Sequence, residues 1–338
     1  MFKAPPQPPA ANRDGSRSAH FKFAHAAFIV DLPAAEISAR LRPRSCQPMI
    51  ELLKQIYHRL PVIHELRRFE TQVACELKSL REASVLQTFE ALKAGNERYR
   101  DPRRLLAHGA QYWSQHYEDG MIAEIFRRIG VKAKTFLEIG IGDGRENNTA
   151  ALIALGWSGW WIEGNPTACD HIAAKLRETP GVAARLKIRQ AFVSPEKISG
   201  LLAELGVPAE VDLFSLDIDM DTYHVWAALK PFRPRVIVVE YNAAFPPDQS
   251  WIHPYRPGRI WDGTQNFGAS LKAFERLGAE SGYALVGCDI AGTNAFFVRN
   301  DLVADKFAAP FTAENHHEPP RYHLTSRAAH PAALPFIE

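Results

Sequence analysis

Lys134-Thr-Phe-Leu-Glu-Ile-Gly-Ile-Gly-Asp-Gly-Arg145 decides the reading of this chain. An apolar run of strand type leads into three alternating glycines and then into a helix start. Gly140, Gly142 and Gly144 reach backbone angles closed to other residues and let a ligand approach the main chain. In α/β sheets a turn of this kind, at the carboxyl end of a strand, is where a nucleotide-like ligand binds. The spacing is G-x-G-x-G, not the G-x-G-x-x-G of dinucleotide sites. Glu138 stands just before the glycines, and Glu163 ends the next apolar strand, Trp160-Trp-Ile-Glu. Two carboxylates suit a ligand with an ammonium group and a ribose but no phosphate. S-adenosylmethionine (SAM) is such a ligand.

Working outward, strand and helix alternate from about Gln111. The pattern predicts a helix over Asp119–Ile129, a first strand over Thr135–Ile139 and a crossover helix over Asn147–Leu155. Further strands are predicted over Gly159–Glu163, Leu186–Phe192, Val211–Leu216 and Arg235–Glu240. The helices between them fall over Pro166–Arg177, Glu196–Leu205 and Thr222–Leu229. The fourth and fifth strands are apolar on both faces, as buried parallel strands are. After a helix over Gly268–Ser281, two late strands, Tyr283–Gly287 and Ala295–Val298, are joined through Ala291-Gly-Thr-Asn. So short a turn permits only antiparallel pairing. The expected sheet has five parallel strands and a terminal antiparallel hairpin.

The flanks are of another kind. Residues 1–45 begin rich in Pro, Ala and charge and read as a disordered or docking segment. Residues 46–105 carry helical periodicity: Ile50, Leu53, Ile56 and Leu60 before a break at Pro61, then Ile63, Leu66, Phe69, Val73, Leu77 and Leu80. This helical extension reads as a hairpin or short coiled coil for oligomerisation, or as a cap on the main domain. The main domain spans 106–300, and 301–338 is a Pro-, His- and Ala-rich tail in which His316 and His317 read as solvated. Net charge is +2, so no global field argues for nucleic acid. Cys46, Cys75, Cys169 and Cys288 lack C-x-x-C spacing and read as reduced cytoplasmic thiols. No apolar run is long enough to span a bilayer.

Five segments together carry a resemblance: Ser114-Gln-His-Tyr-Glu-Asp119, Phe136-Leu-Glu-Ile-Gly-Ile-Gly-Asp-Gly144, Trp161-Ile-Glu-Gly-Asn165, Leu213-Phe-Ser-Leu-Asp-Ile-Asp-Met-Asp221 and Val236-Ile-Val-Val-Glu-Tyr-Asn242. In this order they resemble the FkbM-like, SAM-dependent class I methyltransferases and their bacterial relatives, over about residues 114–300. The resemblance implies backbone contact of Gly140, Gly142 and Gly144 with SAM. It also implies Glu138 at the methionine end and Glu163 on the ribose hydroxyls. Asn165 is placed to assist, and Phe192 with Val193 to flank the adenine. The family usually follows the fourth-strand Asp with Val-Glu-Gly. Here Ile218-Asp219-Met220 stands instead, so the acceptor is not copied from the family.

Asp217, Asp219 and Asp221 end the fourth strand, and alternation puts Asp217 and Asp219 on one face. Glu240 and Asn242 end the fifth strand with the same parity. Converging oxygens at Asp217, Asp219 and Glu240 suit Mg²⁺ or another hard cation. The alternative is that these acids contact SAM or orient an acceptor without metal, and Asp221 reads first as a helix N-cap. His224, one turn into the next helix, is a candidate general base or a surface histidine. His253, Trp251, Tyr255 and Trp261 lie in the loop after the fifth strand, placed to contact an acceptor or to pack as a lid. The leading reading is a SAM-dependent methyltransferase with Asp217, Asp219 and His224 as catalytic residues. The resemblance implies an oxygen acceptor on a sugar, a glycan or another polar metabolite. A SAM-binding-fold scaffold lacking catalysis is the alternative, and the glycine spacing disfavours a nicotinamide oxidoreductase.

Overall fold

The computed structural model describes residues 61–259, 261–324 and 334–337. The readings placed on 1–60 lie outside the described residues. The chain divides into two compact units, residues 1–71 and 72–338. Of the first, only 61–71 are described. They are helical, with Val62, Leu66 and Phe69 exposed. The helix Pro61–Gly95 ends in the second unit, where Leu77, Leu80 and Leu86 are exposed. There Val85 and Phe89 turn inward, and Phe89 stacks on Tyr117 with centroids 4.3 Å apart.

The second unit is built on a seven-stranded sheet. Its strands are β1 (Thr135–Ile139), β2 (Ser158–Glu163), β3 (Leu186–Gln190), β4 (Leu213–Leu216), β5 (Val236–Glu240), β6 (Tyr283–Cys288) and β7 (Asn294–Arg299). They lie in the order β3-β2-β1-β4-β5-β7-β6. The first five pair in parallel, and β7 runs antiparallel between β5 and β6. The sheet is the one expected from the sequence. Period-two alternation feeds two cores. Leu137, Ile139, Phe214, Leu216, Ile237 and Val239 point to one side. Phe136, Leu213, Val236 and Val238 point to the other.

Some element starts differ from expectation, for local reasons. The last long helix begins at Leu271 rather than Gly268, because the Ser270 side chain accepts from the Ala273 N–H and Gly268 has φ +59°. The first crossover helix shortens to Ala150–Ala154 because residues 147–149 are bonded to Glu138. Residues 301–324 are no loose tail. Glu318 is fully buried between Arg98 and Arg321, both at 2.9 Å, with the Tyr99 hydroxyl at 2.6 Å. His316 is likewise buried, with Nε2 3.1 Å from the Ala308 carbonyl. Burial pushes its pKa down to about 3, so the solvated reading of His316 is overturned. His317 is half-buried, 3.3 Å from the Ala243 carbonyl.

At the end of the sheet away from the glycine turn, Arg235 meets Asp212 at 2.6 Å, with their side chains 8% and 0% exposed. Arg235 also donates to the carbonyls of Ile129 and Gly130, and Asp212 accepts the Lys132 and Ala133 amides. The pair thus ties the helix Glu118–Ile129 to β1, β4 and β5. Burial alone would raise the pKa of Asp212. The Lys132 amide, Arg235 and the other donors more than offset this and hold it below the usual carboxylate range. Arg235→Met leaves a buried carboxylate without its counter-ion, at a cost of about 3–5 kcal/mol. The expected result is a fall in melting temperature on the order of 10 °C. A melting temperature within a degree or two of the parent would show that the backbone amides suffice for Asp212.

Candidate active site

The site forms where β1, β4 and β5 end. Gly140 has φ +83°, and a Cβ there would lie 1.5 Å from the Asp217 carbonyl oxygen. The glycine turn therefore crosses directly over the end of β4. Gly142, at φ +57°, faces open space on its Cβ side, and its N–H donates to Glu163 Oε2 at 2.8 Å. Glu163 Oε1 accepts the Asn165 N–H, also at 2.8 Å. Gly144 is placed differently. A Cβ there would meet Trp161, Leu334 and Ile172, so this glycine serves core packing and does not line the cleft.

Glu138 is buried. Its carboxylate accepts from the Asn148 and Thr149 amides, Asn147 Nδ2 and Thr149 Oγ1. Burial raises its pKa against the pull of these four donors. Glu138 borders the cleft, but its bonds are spent on shaping residues 147–149. Asn165 caps the helix Pro166–Glu178 through Thr167 and Ala168 and lines neither chamber described below.

The cleft has two chambers that share Gly140, Gly142 and Asp217. The larger, about 950 Å³, is walled by Ile162, Glu163, Phe192, Val193, Met220, Tyr255 and Trp261. Phe192 is 75% exposed and lies against Gly164. The smaller, about 410 Å³, is polar and walled by Gln115, Glu118, Glu138, Asn147, Asn148, Thr293 and Asn294. Both fall in the size range of small-molecule sites, roughly 300–1,000 Å³.

Asp217 sits at the seam. Oxygens of Asp217, Asp219 and Glu240 lie within 4.8 Å of one another. Strand alternation does not bring Asp219 there: it stands in a left-handed turn, φ +54°, after β4 has ended. The surrounding protein, by desolvation, and the neighbouring charges of Asp219 and Glu138 raise the pKa of Asp217. Burial, then the charges of Asp217 and Asp219, raise Glu240 well above the normal carboxylate range. The same oxygens have the spacing to hold one hard cation.

Other candidate residues lie apart. His224 lines neither chamber, and its Nε2 is 2.8 Å from the His253 carbonyl. Asp221 occupies the N-cap position of the helix Thr222–Ala228 but makes no capping bond. The Thr222 hydroxyl accepts from the Ile218 N–H instead, and Asp221 faces the larger chamber. Trp251 stacks on Phe245 at 4.5 Å, while Tyr255 reaches Glu196 at 2.9 Å. Sequence reasoning assigned no role to Asn147, Asn148, Thr293 or Asn294. The register that sets Glu240 opposite Asn294 gives the last two their place.

The strand order, the glycine turn and the cleft at the strand ends define a Rossmann-like α/β fold of the class I methyltransferase type. No protein-family model matches the chain, and no curated protein matches it. Among solved structures it is similar to the glycopeptide N-methyltransferase MtfA complexed with SAM. Identity there is 14%, over 53% of this chain and 86% of that one, with a TM-score of 0.32. It is also similar to magnesium protoporphyrin IX methyltransferase (ChlM) from Synechocystis PCC 6803 with bound SAM, at 10% identity over 64% and 96% and a TM-score of 0.36. A SAM-dependent methyltransferase from Clostridium acetobutylicum ATCC 824 is similar at 11% identity over 53% and 89%, with a TM-score of 0.33.

The glycine turn is poorly furnished for a dinucleotide's pyrophosphate. A pyrophosphate needs free amides at the glycine turn, and the Gly142 N–H is already given to Glu163. No lysine or arginine lines the smaller chamber to offset phosphate charge; Lys197 and Arg259 line only the larger. Glu163 uses two of its roughly four lone-pair positions and keeps the others for ribose hydroxyls. Phe192 offers an exposed aromatic face beside it. Among the described residues no helix is long and apolar enough to cross a membrane.

Proposed function

We propose that this chain is a SAM-dependent methyltransferase acting on an oxygen of a small polar acceptor, a sugar or glycan hydroxyl among them. The observation that carries this reading is a glycine turn set between two chambers with an ionisable carboxyl, Asp217, at their seam. Bound there, SAM supplies an electrophilic methyl group on a sulfonium. Glu163 and Phe192 hold the adenosine part in the larger chamber, and the bare backbone at Gly140 and Gly142 lets the ligand pass between chambers. The Asp217 carboxylate takes the proton of the acceptor hydroxyl, and Glu240 steadies it from behind. Asn165, Glu138 and Gly144 act indirectly, by holding the helix start, the following loop and the turn. The scaffold reading gains from the exposed Leu77 and Leu80 but gives no purpose to three carboxyls gathered at a cleft.

Calorimetry with SAM and with NAD tests the reading. The expected result is binding of SAM alone. Glu163→Gln places an NH₂ group against the Gly142 or Asn165 amide and removes the charge facing the ribose. Hydrogen bonds to charged groups contribute about 1.5–3 kcal/mol, so SAM affinity should fall by roughly ten- to a hundredfold. A folded wild-type protein that fails to bind SAM ends the methyltransferase reading.

A further inference from the structure

The smaller chamber is short of hydrogen-bond donors. Asn147 and Asn294 are 8% and 5% exposed, and each has its orientation fixed by a carboxylate. Asn147 Nδ2 donates to Glu138 at 2.7 Å, and Asn294 Nδ2 donates to Glu118 at 2.7 Å. A carboxylate only accepts, so neither amide can flip without setting oxygen against oxygen. Both Oδ1 atoms are therefore left without a protein partner, as is Oγ1 of Thr293, which is 8% exposed. All three residues line this one chamber. Buried polar atoms in this state call for a partner. Glu118, Glu138, Asp143, Glu146 and Asp217 also line it, with no lysine, arginine or histidine.

The strand order divides these atoms between two ligands. Asn147 follows the glycine turn at the end of β1. Thr293 and Asn294 stand at β7, three strand spacings further along the sheet edge, or roughly 14 Å. A donor held by Glu163 beyond β1 and ending at Asp217 leaves Thr293 and Asn294 to the acceptor. Neutral hydroxyls would satisfy the hydrogen bonds but not the accumulated negative charge, and an anion would satisfy neither.

We propose that the acceptor is a cationic amino alcohol, its ammonium group docked at Thr293 Oγ1 and Asn294 Oδ1 and its hydroxyl presented to Asp217. The inference rests on the methyltransferase reading and adds the charge of the substrate to it. In the transfer, the hydroxyl oxygen bonds to the methyl carbon and the carbon–sulfur bond breaks, its electron pair staying on sulfur. The hydroxyl proton passes to Asp217, and the ammonium group keeps all its protons. Glu118 acts as a positioning residue: it fixes the Asn294 amide.

The test uses the full chain saturated with S-adenosylhomocysteine and titrated calorimetrically with matched pairs, glucosamine against glucose and 2-aminoethanol against ethylene glycol. The amine of each pair should bind at least about tenfold more tightly. Thr293→Val, which keeps side-chain shape and the backbone amide, should remove most of that preference and leave S-adenosylhomocysteine affinity unchanged. If S-adenosylhomocysteine itself does not bind, the methyltransferase reading fails. If it binds, and the neutral partners bind as well as the amines or no probe binds, the cationic acceptor alone is overturned. An unaltered preference in T293V also overturns the assigned docking point.

Discussion

Asp217→Asn is expected to lower turnover by about a thousandfold while donor affinity stays within a factor of a few. A positioned proton acceptor contributes roughly 10²–10⁴ in rate. Asparagine keeps the shape of the side chain but takes no proton. The pH profile gives the sharper reading. Desolvation, then the charges of Asp219 and Glu138, push the Asp217 pKa up to about 7, against the opposing hydrogen bonds from Glu240 and the Asp219 backbone. The ionised form is the active one. Activity should thus be flat above about pH 7 and fall tenfold per pH unit below it. Asp219→Asn removes a like charge and should move this acid limb to lower pH. The profile should survive exhaustive chelation. Activity lost on chelation and restored by Mg²⁺ would reassign Asp217, Asp219 and Glu240 to metal ligation. A profile that D219N leaves in place would remove Asp217 as the base.

Gly140→Ala is expected to abolish measurable donor binding and to destabilise the fold by at least about 3 kcal/mol. Two faults combine at one atom. The backbone sits at φ +83°, where alanine is strained, and the new methyl would lie 1.5 Å from the Asp217 carbonyl oxygen. That oxygen belongs to the main chain at the end of β4, so no side chain can swing away to make room. The turn must lift, taking Gly142 off Glu163 and widening the seam between the chambers. Gly142→Ala is the control. Its φ of +57° carries a strain of about 1 kcal/mol, but no atom lies within 4 Å of the added carbon. Thermal melting and calorimetry on both variants separate strain from collision. Equal losses in the two would mean that left-handed backbone alone, and not the crossing over β4, makes position 140 special.

Much of the architecture was legible because it is local. Short, mainly apolar runs such as Thr135–Ile139 and Val236–Glu240 have the length and composition of buried strands, and the short link between Tyr283–Cys288 and Asn294–Arg299 allows only a hairpin. The glycine turn was visible for the same reason, although its three glycines turn out to serve three needs. What the sequence hid is non-local. Thr293 and Asn294 look like turn residues until the β5–β7 register sets Asn294 across from Glu240. Glu138 looks like a ligand-facing acid until the four donors of residues 147–149 are found on it. His316 sits in a stretch with no periodicity, and only the folding back of that stretch buries it. Helical spacing put His224 near the acids, but one hydrogen bond to His253 turns its ring elsewhere.

The Glu318 cluster has a consequence for how this domain is bounded. Its carboxylate is enclosed by Arg98 and Tyr99, from well before the first strand, and by Arg321, from well after the last. The two flanks clasp one another like the ends of a belt. A version trimmed to the sheet and its crossover helices would keep the glycine turn and the three clustered acids yet lose the buckle, stranding charged groups that had been sealed from water. Anyone transplanting this domain into a fusion, or permuting its ends, must carry both flanks or neither end will hold.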